Sequence, residues 1–182
     1  MSAGGNRGLY LVVSDGGAIR PLVAPDQTFI LNVASWSPDG SRVLYDRWDP
    51  NANGISLRTR IVGADGTGDR AIGEGPAGTF ETNASWSNDG KRIAMVRHFA
   101  NDPASDWAIV VAPADGTAAD VVTATLHGEC VPNIQWLPDD SKILVASCPN
   151  AGVSAQLVDP GSGALTPVAA VADDPSTQRL AP

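Results

Sequence analysis

Along the chain, apolar positions come in runs of four to seven residues, and nearly every run is closed by Gly, Pro, Asp or Asn. Runs of that length, rich in Val, Ile and Leu and bounded by turn residues, predict strands rather than helices. Asn32–Trp36 and Arg42–Trp48 flank the turn Ser37-Pro38-Asp39-Gly40. A third run lies around Leu57–Val62, and the Asp65-Gly66 turn leads to a weak fourth near Asp69–Ile72. The scheme returns as ETNASW, KRIAMVRH, DWAIVVA and AADVVTA, then as VPNIQW, SKILVASC, SAQLVD and ALTPVAA. In the first turn, proline presets φ, aspartate bonds the backbone two residues on, and glycine accepts the left-handed conformation that completes the reversal. Each unit reads as four short strands.

The units keep a fixed interval. Trp36, Trp86 and Trp136 are fifty residues apart, each followed three residues later by Asp39, Asp89 or Asp139. Asp15-Gly16, Asp65-Gly66 and Asp115-Gly116 hold the same spacing, each twenty-one residues before its tryptophan. Two turn signals locked in phase define an internal repeat. A lone four-stranded sheet cannot bury both faces, whereas such sheets stacked around an axis can. The expected fold is therefore all-β: β-propeller blades built as four-stranded antiparallel sheets, about three full blades plus a half blade. The tryptophans are expected to wedge between neighbouring blades, each burying about 150–250 Å². The boundaries predicted are a half blade at about 9–24, blades at about 30–73, 80–124 and 130–171, and the start of a further blade at 172–182, all within one partial propeller domain over 1–182. Neither end supplies the first two strands that 9–24 needs. An incomplete propeller is expected, a piece of a larger one, whose partners include the remaining blades of a longer parent chain or a second copy of itself.

The stretches SWSPDGSRVLY (Ser35–Tyr45), SWSNDGKRIAM (from Ser85) and QWLPDDSKILV (from Gln135) resemble the TolB-like, WD-type β-propeller repeat family. Similar repeats occur in the propeller domains of prolyl-oligopeptidase-type peptidases. The likeness covers almost the whole chain and implies a closed ring of six or more blades. Asn88 replaces the proline in the second copy, and Leu137 and Asp140 depart from the pattern in the third. One fold of this kind serves many tasks, so the resemblance speaks to architecture before function.

Composition narrows the choice of partners. Of 182 residues 43% are hydrophobic and 18% charged, which is not a disordered composition, and nineteen glycines with fourteen prolines suit a chain of many turns. The formal charge of −8 repels phosphate backbones and argues against a nucleic-acid partner. No apolar run approaches the ~20 residues of a membrane-spanning helix, so no membrane insertion is expected. The opening MSAGGNRGLYLVV lacks the parts of a secretory signal. A cytoplasmic protein is expected if Met1 is the native start, and a periplasmic or extracellular one if the chain belongs to an exported parent.

Candidate chemistry is sparse. Counting outward from each first turn pairs Trp136 with Lys142, Phe80 with His98, Ile30 with Trp48, and Cys130 with Cys148. The two cysteines are then either a disulfide in an oxidising compartment or a pair of buried thiols in a reducing one. They do not make a four-ligand metal site. Asp49–Gly54 has the opening of a calcium loop, but Arg60 stands where the closing glutamate belongs, so a polar turn is the simpler reading. Another polar loop, His98–Trp107, carries Asp102 and Asp106. The loops between second and third strands gather at the end opposite the Ser-Pro-Asp-Gly turns. Trp48, His98 and Phe99 lend that mouth aromatic character, and Asp46, Arg47, Asp49 and Arg97 add charge. Rim residues with no ligand are the alternative.

No Gly-x-Ser-x-Gly elbow, His-Glu-x-x-His pair or phosphate loop is present. His127 near Cys130 lacks triad geometry. Asn83-Ala84-Ser85 fits a glycosylation acceptor but falls on an inner strand. The reading is a noncatalytic interaction module for a protein or peptide, with no cofactor. The alternative is the gating propeller of a prolyl-oligopeptidase-type serine peptidase.

Overall fold

A computed structural model of the chain describes residues 8–24, 29–49, 56–73, 75, 78–99, 106–117, 121–126, 132–147 and 154–168. Among these residues every regular element is a strand. The strands β1 (Leu9–Val12) and β2 (Ile19–Val23) form an antiparallel pair. Blade A comprises β3 (Phe29–Trp36), β4 (Arg42–Asp49), β5 (Ser56–Gly63) and the two-residue β6 (Arg70–Ala71). Blade B comprises β7 (Thr79–Trp86), β8 (Arg92–Phe99), β9 (Trp107–Pro113) and β10 (Val121–Leu126). Blade C comprises β11 (Asn133–Trp136), β12 (Ile143–Ser147), β13 (Ser154–Val158) and β14 (Leu165–Pro167). Each strand is antiparallel to the next within its blade. Because β6 is so short, the free edge of β5 meets β7 in one parallel bridge, Leu57 to Phe80, which joins blades A and B into a continuous sheet.

The first turns are built by the side chains the sequence provides. Ser37 Oγ donates to Asp39 Oδ1 at 2.6 Å, Ser41 N donates to the same oxygen at 3.0 Å, and Gly40 (φ 70°) closes the turn. Blade B repeats this with Ser87, Asp89 and Lys91. In blade C, Leu137 replaces the serine, and Ser141 alone donates to Asp139. The third-to-fourth strand turns use a second device. Asp65 accepts from the backbone and hydroxyl of Thr67, and Asp115 from those of Thr117.

Three apolar clusters lie between successive sheets. Leu22 with Leu9 and Leu11 packs on Val43, Tyr45 and Val62 of blade A. Leu44, Ile61 and Ile72 of blade A pack on Trp86, Ile93 and Met95 of blade B. Val96, Ile109 and Leu126 of blade B pack on Trp136, Ile143 and Val145 of blade C. Period-two alternation gives each sheet two opposed faces, and among the described residues blades A and B are packed on both, whereas blade C and the β1–β2 pair are packed on one.

Register corrects two expected pairings. Phe80 does oppose His98, but Ile30 opposes Arg47, and it is Phe29 that opposes Trp48. Trp136 opposes Ile143 rather than Lys142, whose carbonyl instead accepts from Leu137 N at 2.9 Å. The strand β3 carries two irregularities and β7 one, and each shifts the pairing beyond it by a residue. Cys130 and Cys148 lie outside the described residues.

Candidate interaction surface at one end of the blades

Strands β4, β7, β8 and β9 bring the mouth residues to the end opposite the first turns. Two ring pairs form there. Trp48 stacks on Phe80 of the next blade with centroids 5.8 Å apart, and His98 stacks on Trp107 at 4.2 Å. All four rings are half-buried, each with part of its surface open to solvent. Offset stacking of this kind holds large side chains in one orientation at little entropic cost. Asp49 and Phe99 end β4 and β8, and only their backbone is described. The loops 50–55 and 100–105, Asp102 among them, and His127 lie outside the described residues.

The charged candidates are held inside rather than presented. Asp46 is 4% exposed and accepts hydroxyls from Thr59 (2.9 Å) and Thr82 (2.8 Å), which ties blade A to blade B. Arg97 is 7% exposed and donates from Nε and Nη2 to Glu81 Oε1 at 3.0 and 2.7 Å. Arg58 reaches the same carboxylate oxygen at 3.4 Å and donates to Thr79 Oγ1 at 2.9 Å. Glu81 itself is fully buried, and among the described residues its Oε2 has no hydrogen-bond partner. Arg47 turns to the opposite face, 3.8 Å from Asp69. Asp69 also accepts from Tyr45 OH at 2.7 Å and Arg60 Nε at 2.9 Å. Burial, and then the bond to Asp69, push the Tyr45 phenol up to about 12.

Sequence reasoning read Asp46 and Arg97 as mouth charges and passed over Glu81 and Arg58. Alternation carried the signal. Asp46 lies two residues beyond buried Leu44, and Arg97 two beyond buried Met95, so both share an inward face. The sequon asparagine is likewise engaged: Asn83 sits at φ 52° in β7 and donates from Nδ2 to Pro132 O at 2.9 Å. Among the described residues no group of three or more His, Cys, Asp or Glu is placed to hold a metal ion, and no helix is long and apolar enough to cross a membrane.

The repeat tryptophans sit at the other end; Trp86 and Trp136 wedge between blades as expected, but Trp36 does not, because among the described residues no full blade precedes it. Trp86 Nε1 donates to Ser35 O at 3.4 Å, and Trp136 Nε1 donates to Ser85 O at 3.2 Å. The Arg42 guanidinium lies over the Trp86 ring, 5.0 Å from its centroid, and Arg92 lies over Trp136 at 4.4 Å. Trp86 and Trp136 are 8% and 3% exposed, whereas Trp36 is 48% exposed.

No model of a known protein family matches the sequence, and no curated protein does. Solved structures do. TolB from Acinetobacter baumannii is similar over 87% of this chain and 36% of its own, with a TM-score of 0.62 at 15% identity. Oligogalacturonate lyase from Vibrio parahaemolyticus is similar over 88% of this chain and 42% of its own, with a TM-score of 0.65 at 17% identity. A prolyl endopeptidase is similar over 87% of this chain and 25% of its own, with a TM-score of 0.59 at 13% identity. The chain thus spans less than half the length of each. Identities this low speak to architecture alone. The fold these proteins share with the chain is the β-propeller, with TolB among its representatives.

Proposed function

We propose that the chain is a noncatalytic propeller module that binds a protein or peptide through the blade end where the Trp48–Phe80 and His98–Trp107 pairs lie. The observation that carries this reading is the pair of half-buried ring stacks standing on a buried, hydrogen-bonded base. Aromatic side chains fixed by a rigid scaffold dominate the energetics of recognition surfaces, and loops at one end of a sheet carry variable contacts. A net charge of −8 favours a basic partner.

A displayed peptide library panned against the chain tests this reading. Enriched sequences are expected to lose binding to the double variant Trp48→Ala, Trp107→Ala and to keep it with Asp139→Asn at the opposite end. Absence of enrichment, or binding indifferent to the aromatic pair, overturns it.

The gating propeller of a serine peptidase is the second reading, favoured by the likeness to a prolyl endopeptidase. A Gly-x-Ser-x-Gly hydrolase segment in the parent gene would support it.

A further inference from the structure

The contact between blades A and B is repeated between blades B and C in its arginine, its indole and one carbonyl. In the first, Arg42 lies over Trp86, and its Nη1 and Nη2 donate to Ala114 O at 3.2 Å and Gly90 O at 3.4 Å. In the second, Arg92 lies over Trp136 and donates to Asp140 O at 3.2 Å. Each arginine is the first residue of the strand that follows a tight turn, two positions beyond Gly40 or Gly90. A further latch keeps the same fifty-residue phase: Arg20 donates to Ala64 O, as Arg70 does to Ala114 O at 2.9 Å.

Moved back by one repeat, the receiving groups become Trp36, Gly40 O and Ala64 O. All three are in place. Trp36 is 48% exposed, and among the described residues no cation lies over it. Among the described residues the sheet that faces blade A on this side consists of β1 and β2, which cover Val43, Tyr45 and Val62 but leave the indole open. Among the described residues β1 pairs with β2 alone, and no described strand takes up the backbone donors and acceptors of its other edge.

We infer that Trp36, Gly40 O and Ala64 O form a guanidinium site, taken by the arginine of a two-stranded hairpin that adds to the free edge of β1. The occupant has stated chemistry: a Ser-x-Asp-Gly-type turn with arginine two residues beyond its glycine position, the arrangement of β7–β8. Strand addition supplies backbone hydrogen bonds along β1, and the arginine fixes depth and register. The indole face attracts the guanidinium, while the two carbonyls take its N–H donors. The site lies at the opposite end from the proposed mouth and is independent of it.

A fluorescently labelled synthetic peptide copying Thr79–Phe99 tests the inference against the whole chain. Saturable binding by anisotropy is expected, with slowed hydrogen exchange at residues 9–12. Peptide carrying Arg92→Gln is expected to bind about two- to thirty-fold more weakly, the range expected for a lost cation–indole contact. The protein variant Trp36→Ala is expected to show the same loss, and the two changes together little more than either alone. The peptide-side change leaves the protein's folding untouched and therefore decides even if Trp36→Ala is poorly folded. No saturable binding, or equal binding by both peptides, overturns the inference.

Discussion

Asn88 and Asp140, each out of place in its turn, are bonded to one another across the boundary between blades B and C. Asn88 N and Nδ2 donate to Asp140 Oδ1 at 2.7 and 2.8 Å, Asp89 N donates to Oδ2 at 2.9 Å, and Asn88 Nδ2 also reaches Leu137 O at 2.8 Å. At the preceding boundary the same two positions are Pro38 and Gly90. There a Cβ added to Gly90 would lie 3.7 Å from the Pro38 ring, and no polar bond is possible through proline's missing N–H. The two departures from the repeat are thus the halves of one contact. Asp140 occupies φ 57°, where glycine stands in the other copies, and aspartate tolerates that region better than most residues. Burial works against its charge, but the bonds from Asn88 and Asp89 outweigh it and hold the carboxyl below its ordinary range.

Asp140→Gly relieves the left-handed backbone but forfeits three bonds to a carboxylate. A net loss of about 1 kcal/mol is expected by urea denaturation, since the bonds are solvent-exposed. Asn88→Pro removes the donors and should cost a similar amount. The double variant, which copies the Pro38–Gly90 boundary, should be more stable than the sum of the single losses, with a coupling of about 1 kcal/mol. Strict additivity would show that the contact contributes nothing.

The tryptophans separate by exposure. Trp86→Ala and Trp136→Ala each empty a buried interblade site and strip the neighbouring arginine of its ring, so a loss of about 3–5 kcal/mol is expected for each. Trp36→Ala removes a ring already half open to solvent and should cost about 1 kcal/mol or less. Thermal melts of the three variants check the order. Equal losses at all three positions would mean that Trp36 is covered in solution.

Acid should loosen the turns first. Ser37 Oγ, Ser41 N and Ser41 Oγ all donate to Asp39, and these bonds lower its pKa from 3.8 to about 2. The folded value lies below the unfolded one, so the stabilisation is complete above the unfolded value and disappears as pH falls through the folded one. Asp65, Asp89, Asp115 and Asp139 are lowered for the same reason, their hydrogen bonds to the residue two positions before or after. The urea midpoint of the wild type should therefore exceed that of Asp39→Asn at pH 6, and the gap should close between pH 4 and pH 2. A gap unchanged at pH 2 would rule the carboxylate out as its cause.

Strand order and phase were legible because two turn types each demand particular residues, and Asp-Gly fifty residues apart can hardly satisfy anything but a repeat. Pairing along β7–β8 was legible at Phe80 and His98. It failed by one residue at Ile30, because a bulge is set by local backbone geometry that no residue in Ile30–Ser35 announces. The mouth rings were visible as aromatic residues near strand ends, but their partners, Phe80 and Trp107, come from another blade or a strand beyond a loop. Asn88 and Asp140 each showed as a lapse in a pattern. Only the stacking of blades, which sequence periodicity does not position in space, reveals that one lapse answers the other.

Glu81 is where the blade A–B boundary is most exposed to a single change. Its carboxylate is fully buried, receives both Arg97 donors on one oxygen, and lies 3.4 Å from Arg58 of the preceding blade. Burying these ions is costly, and their mutual attraction offsets the cost only while the set is intact. Glu81→Gln keeps the size and shape of the side chain but leaves two guanidiniums facing a neutral amide whose NH₂ is itself a donor. A loss of about 3–5 kcal/mol is expected. Replacing Glu81 with methionine and Arg97 with leucine together should recover much of it, because the two most deeply buried charges leave together while Arg58, 20% exposed, keeps its bonds to Thr79 Oγ1 and Gly75 O. The mouth rings test the same argument functionally. His98 adjoins Arg97 and Phe80 adjoins Glu81, so Glu81→Gln should increase the solvent exposure of Trp48 and Trp107, read as a red shift in fluorescence. An unshifted spectrum with unchanged stability would show that the buried pair neither supports the boundary nor orients the rings.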